Sequence, residues 1–122
     1  MKPAYMLMFI LSLACWTLVQ AGEIVDVQEG EASYYADSLH GNKTASGEPY
    51  DKNKMTAAHR TLEFGTKVKV TYPETGKSVD VVINDRGPHA KGRIIDISGA
   101  AADAIGLKDA GHGPVKLEVY GP

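Results

Sequence analysis

Ser78-Val79-Asp80-Val81-Val82-Ile83-Asn84-Asp85-Arg86-Gly87-Pro88 is the stretch around which the rest of the chain is arranged. Val79, Val81 and Ile83 alternate with Asp80 and Val82, and β-branched residues dominate. That pattern predicts a strand with one face turned to a core. The strand is expected to stop on Asn84-Asp85-Arg86-Gly87-Pro88, because Asn and Asp favour turns, Gly accepts positive φ and Pro cannot continue a ladder. A carboxylate and a guanidinium therefore arrive side by side at a strand end, where a rigid scaffold commonly presents chemistry. Taken alone, the segment is more readily a polar hairpin corner in which Asp85 bonds to nearby backbone.

Upstream, Thr66-Lys67-Val68-Lys69-Val70-Thr71-Tyr72 alternates cleanly, and Pro73-Glu74-Thr75-Gly76-Lys77 turns it into the opening stretch as a hairpin. Glu31–Ala36 and Met55–His59 read as two earlier short strands. Between them, Asp37 to Asp51 is a loop crowded with turn formers, and a loop of that length inside a compact domain is commonly functional. Downstream, Gly92–Ile97 is a further strand. Ser98 then caps a small helix through Ala100 to Ile105, with Gly106 as its stop. Val115–Tyr120 closes the chain as a last alternating strand. Short strands with one small helix predict a mainly β domain, a small barrel or sandwich.

Residues 1–21 have the form of a secretory signal peptide: Lys2 in a positive start, an apolar run of 15 residues from Tyr5 to Val19, and Val19-Gln20-Ala21 as a cleavage site. The run is shorter than the roughly 18–20 residues of a spanning helix, so no stable membrane span is expected in the mature form. Ser12-Leu13-Ala14-Cys15 raises lipidation at Cys15, making the protein a membrane lipoprotein. The apolar run continues beyond Cys15, however, and cleavage after Ala21 is preferred. The product would be an exported, periplasmic or secreted protein without cysteine, and hence without a disulfide. Residues 22–29 read as a short acidic leader and residues 30–122 as one domain, large enough to bury a core unaided.

Charge excludes several classes of partner. Lys2 is the only charged side chain in residues 1–21, so the 13 basic residues become 12 against 15 acidic ones. Nucleic acid and anionic membrane surfaces are poor partners for such a domain. The four histidines stand apart at 40, 59, 89 and 112 without paired ligand spacing, so no metal site or cofactor is expected. A monomer is the expected state.

Glu48, His59 and Asp85 are ionisable residues at or beside strand ends in glycine-rich surroundings. Ser46 and Gly47 can bring backbone N–H groups close to a ligand, and Tyr34 and Tyr35 could stack on sugar rings. Together they fit a carbohydrate cleft, since glycosidic cleavage needs a carboxylic acid to protonate a poor leaving group. The spacing alone is not diagnostic.

Six motifs in order carry a more specific signal: Gly30-Glu31-Ala32-Ser33-Tyr34-Tyr35, His40 through Glu48, Met55-Thr56-Ala57-Ala58-His59, Leu62-Glu63-Phe64-Gly65-Thr66, Asn84-Asp85-Arg86-Gly87-Pro88 and Gly92-Arg93-Ile94-Ile95-Asp96-Ile97-Ser98. From Gly30 to about Tyr120 the chain resembles the RlpA (rare lipoprotein A) family of septal-ring lytic transglycosylases. The resemblance implies a six-stranded double-psi β-barrel with one or two short helices, a fold shared with expansins, barwin-like proteins and glycoside hydrolase family 45. It implies non-hydrolytic, endolytic cleavage of the MurNAc-β-1,4-GlcNAc bond of peptidoglycan glycan strands, leaving a 1,6-anhydro end, with no metal or cofactor.

By match to the family motif, Asp85 is the expected general acid/base, supported by Glu48 and His59. Tyr35, Thr44, Ser46, Gly47, Asn84 and Arg86 are the expected substrate-binding residues. Arg86 would oppose a protonated Asp85 and is therefore expected to point away, onto backbone carbonyls or another carboxylate. Asp96 is the second choice of acid, because Ile94-Ile95-Asp96-Ile97 resembles a His-Phe-Asp-Leu segment of expansins and family 45 enzymes. Its plain alternative is a cap on the following helix. An expansin-like protein that binds glycan and loosens the wall without cutting it is the competing function.

Overall fold

The computed structural model describes residues 22–122; the expected signal peptide and Cys15 lie outside the described residues. Six strands and one helix follow in order: β1 Ile24–Tyr34, β2 Thr56–His59, β3 Lys67–Tyr72, β4 Lys77–Asp85, β5 Arg93–Ile97, α1 Gly99–Ile105 and β6 His112–Tyr120. The strands close into a barrel in the order β1-β5-β2-β4-β3-β6. β1 with β5 and β2 with β4 are parallel pairs. The remaining neighbours run antiparallel, among them the β3–β4 hairpin.

Alternation explains the core. Val68, Val70 and Tyr72 of β3, Val81 and Ile83 of β4, Ile95 and Ile97 of β5, and Val115, Leu117 and Val119 of β6 are all buried. Each fully buried Val, Leu or Ile contributes about 1.5–3 kcal/mol of transfer free energy, so this lining is the main source of stability. Helix α1 buries Ala101, Ala102 and Ile105. Its ends are those the residue types predict: the Ser98 side chain accepts from the Ala101 N–H, and Gly106 closes the helix at φ 79°. Among the described residues no helix is long and apolar enough to cross a membrane.

Two strand starts differ from expectation. β1 begins at Ile24, inside the stretch read as a leader, because Asp26 to Ser33 pair continuously with β6. Its parallel partner β5 joins only from Glu31. The first half is therefore paired on one side, and Val25 and Val27 stay 63% and 51% exposed, so no core-facing alternation marks it. β4 ends at Asp85, inside the turn-forming run expected to stop it, and crosses a bulge there, with Ala57 opposite Ile83 and Ala58 opposite Asp85. β6 begins at His112 despite Gly113 and Pro114. Proline is tolerated near the start of a strand. Gly113 leaves room for the Tyr72 ring, whose Cε1 would lie 2.9 Å from any Cβ there.

Candidate active site

The bulge in β4 has a direct chemical consequence. Ala58 of β2 pairs with Asp85 of β4 on one side and with Asp96 of β5 on the other. At about 4.8 Å per strand, the two aspartates start roughly 10 Å apart, separated by a methyl group. Both line a cavity of about 380 Å³, which Tyr34, Tyr35, Arg86 and Arg93 help to enclose.

Asp85 is held by neutral donors. Its Oδ1 accepts from the backbone N–H groups of Ala45, at 2.8 Å, and Arg86, at 2.9 Å. Its Oδ2 accepts from the Tyr35 hydroxyl at 2.5 Å. The Arg86 guanidinium is turned away, as expected. It donates to the His59 carbonyl at 3.2 Å and lies 4.2 Å from the centre of the Phe64 ring. Arg60 secures the loop after β4 from the opposite side, donating to the carbonyls of Pro88 and Ala90 at 2.6 and 2.5 Å.

Asp96 has a different partner. Nη2 of Arg93 stands 3.1 Å from both of its carboxylate oxygens. The helix-cap alternative does not hold, since Ser98 supplies that cap.

Tyr35 stacks on Tyr50, with ring centres 4.3 Å apart and planes 14° from parallel. The Tyr50 hydroxyl accepts from the Gly99 N–H at 3.0 Å, which fixes the pair to the start of α1. Burial first, then the hydrogen bond and charge of Asp85, hold the Tyr35 phenol above its ordinary pKa. Tyr35 is thus a neutral donor. One of its faces is already covered, so only the other remains open to a sugar. Tyr34 lines the cavity with its hydroxyl on the Lys108 carbonyl at 3.1 Å.

The loop of Thr44, Ser46, Gly47 and Glu48 closes on the end of β4. The Thr44 hydroxyl donates to the Glu48 carbonyl at 2.6 Å, and the Ser46 N–H donates to the Asn84 carbonyl at 3.2 Å. Gly47 takes φ 96°, a conformation other residues rarely adopt. Asn84, the extra residue of the bulge, is buried and serves the loop through its backbone. The Glu48 carboxylate is exposed, outside the cavity lining, and has no hydrogen-bond partner among the described residues.

His59 does not face Asp85 either. Its neighbour Ala58 lines the cavity, and alternation turns the His59 ring to the opposite side of β2. The ring is 4% exposed. Its Nδ1 accepts from the N–H groups of Thr61 and Leu62 at 3.1 and 3.2 Å, which leaves the proton on Nε2, 2.9 Å from the Gln28 Oε1. Burial lowers the His59 pKa, with the Arg86 and Arg60 charges adding to it. Of the three residues expected at the catalytic centre, the resting structure brings Asp85 alone into the cavity. Tyr50, Arg60 and Arg93 escaped sequence reasoning. The partners of Tyr50 and Arg60 are distant in sequence, and strand alternation would place Arg93 and Asp96, three positions apart, on opposite faces of β5.

A family model described as "Lytic transglycolase" matches residues 27–117. A probable endolytic peptidoglycan transglycosylase RlpA from Treponema pallidum is 53% identical over 105 residues, which cover 86% of this chain and 33% of that protein. Its counterpart in Synechocystis is 50% identical over 103 residues, 84% of this chain and 32% of the relative. The chain spans about a third of the length of these curated relatives. Among solved structures, Streptomyces papain inhibitor aligns with a TM-score of 0.64 at 24% identity, covering 79% of this chain and 96% of the inhibitor. The apo expansin of Clavibacter michiganensis aligns with a TM-score of 0.60 at 27% identity, covering 77% of this chain and 50% of the expansin. The barrel is a double-psi β-barrel. By sequence match and by fold, the chain belongs to the lytic transglycolase family that includes RlpA.

Proposed function

We propose that this domain is an endolytic lytic transglycosylase acting on peptidoglycan. It cleaves the MurNAc-β-1,4-GlcNAc bond without water and leaves a 1,6-anhydroMurNAc end. The observation that carries this reading is Asp85, a carboxylate in a cavity, bound by neutral donors and free of any ion pair among the described residues. Such a group can pass a proton out and take one back.

In the first half of the reaction, protonated Asp85 gives its proton to the glycosidic oxygen as the bond from C1 to that oxygen breaks. In the second, the C6 hydroxyl of the same sugar bonds to C1 and returns its proton to Asp85. The nucleophile belongs to the substrate, so proximity is supplied within the sugar itself. Arg86 keeps the site open by holding its charge on the His59 carbonyl and the Phe64 ring. Glu48, on the loop fastened to the end of β4, reaches toward the glycan when substrate is bound, because catalytic contacts often tighten only in the complex. Thr44, Ser46, Gly47 and Asn84 shape that loop. His59 supports the site from outside the cavity, holding Arg86 through its carbonyl. Peptidoglycan as substrate calls for a protein that acts outside the cytoplasm, and in this reading the segment 1–21 exports it and it works as a monomer.

The test is mass analysis of soluble products after purified sacculi are incubated with the protein. Anhydro-muropeptides, each lighter by one water than a hydrolytic product, are expected. The likeness to an expansin favours one alternative, a glycan-binding protein that does not cut. Binding to sacculi with no soluble anhydro product would establish that alternative.

A further inference from the structure

The two oxygens of Asp85 are chemically distinct. Oδ1 faces two backbone N–H groups, from Ala45 and Arg86. Amide N–H groups only donate, so a proton on Oδ1 would point at two other hydrogens. Among the described residues Oδ2 meets only the Tyr35 hydroxyl. A hydroxyl can donate to a carboxylate or, by rotating about its C–O bond, accept from a carboxylic acid. We propose that Oδ2 carries the proton Asp85 transfers, and that Tyr35 is the positioning residue that holds this oxygen toward the substrate. The assignment rests on Asp85 as acid/base and goes further, naming the reacting oxygen and giving Tyr35 a task other than a sugar platform.

The step balances without another reagent. The Oδ2 proton moves to the glycosidic oxygen as its bond to C1 breaks, and the C6 hydroxyl proton comes to Oδ2 as the new bond to C1 forms. Tyr35 keeps its own proton throughout and only changes from acceptor to donor and back. Burial and the Asp85 charge, which raise the phenol pKa, keep that proton in place. The stack on Tyr50, tied to the Gly99 N–H, fixes the hydroxyl without using it. Rigid support of this kind is what an acid must have to be held in line with a leaving group.

Tyr35→Phe removes the hydroxyl and keeps the ring on Tyr50. Other titratable or charged side chains around the cavity are Tyr34 from β1, Arg93 and Asp96 from β5, and Arg86 and His89 from the segment after β4. Glu48 is exposed on the loop that touches Asp85. His89 is the one imidazole in the cavity lining, so pH profiles are compared in a His89→Gln background. Y35F is expected to lower kcat for anhydro-muropeptide release by about 10- to 100-fold, the scale of one hydrogen bond to a charged group. KM should stay within about twofold and Tm near the parent value. The high-pH limb of the kcat profile should also move, because Y35F takes from the Asp85 carboxylate one of its three donors.

Unchanged kcat with an unmoved limb, while D85N is inactive, would overturn the assignment and leave Asp85 as acid/base. A raised KM with intact kcat would overturn it in favour of a sugar platform. A lowered Tm with intact kcat would overturn it in favour of a structural role. Full activity of D85N would remove the reading of Asp85 itself.

Discussion

Asp85 and Asp96 flank the same alanine from the strands on either side of β2 and line the same cavity, yet their surroundings differ. Asp85 is bound by two amides and a phenol, Asp96 by a guanidinium that contacts both oxygens. Arg93 can only donate, so among the described residues neither oxygen of Asp96 has a hydrogen-bond partner able to accept a proton from it. Position on a barrel strand does not distinguish the two carboxylates. The hydrogen-bonding type of the neighbour does, and on the proposed reading it is Tyr35, able to donate or accept, that fits Asp85 for proton transfer.

The sharpest way to break this comparison is to neutralise each carboxylate separately. Asp85→Asn should lower anhydro-muropeptide release by at least about 100-fold, the usual scale for losing a general acid. Glu48→Gln should give a loss of about tenfold, as removal of a charge-assisted substrate contact without the proton-transfer step. Asp96→Asn should cost less than about tenfold, since the amide oxygen still accepts from Arg93 while the second contact and the charge attraction are lost. If D96N abolishes release and D85N does not, the two aspartates exchange roles.

Much of the barrel was legible because its signals are local. The alternation of Val79, Val81 and Ile83, the turn at Pro73–Lys77 and the capping pair Ser98 and Gly106 each act over a few residues, and each stands where expected. Asp85 was legible for the same reason, as a carboxylate at a strand end beside Gly87 and Pro88. The geometry around it was not. The Asn84 bulge depends on pairing with Ala57 and Ala58, and the Tyr35 contact joins residues 50 positions apart. The orientation of His59 was unreadable because β2, with 4 residues, is too short to reveal which face turns inward. Val25 and Val27 look like leader residues because one-sided pairing leaves them outside the core.

The smallest effect concerns His59, which lies across β2 from the cavity and tests whether that side is structural. Replacing it with Gln should remove the acceptor shared by the Thr61 and Leu62 N–H groups and cost about 1–3 kcal/mol of stability. The pH dependence is more specific. Burial and the nearby arginines lower the folded-state pKa below the unfolded value near 6.5. The neutral ring therefore contributes its full stability above that pH. As pH falls below it, the unfolded chain takes up a proton that the folded chain resists, and stability declines by up to about 1.4 kcal/mol per pH unit until the folded pKa is reached. Thermal unfolding of the parent and His59→Gln proteins between pH 7.5 and 5 should give curves that converge toward low pH. Parallel curves would mean that the ring protonates freely in the folded protein, and His59 would return as a candidate for the proton-handling side of the barrel.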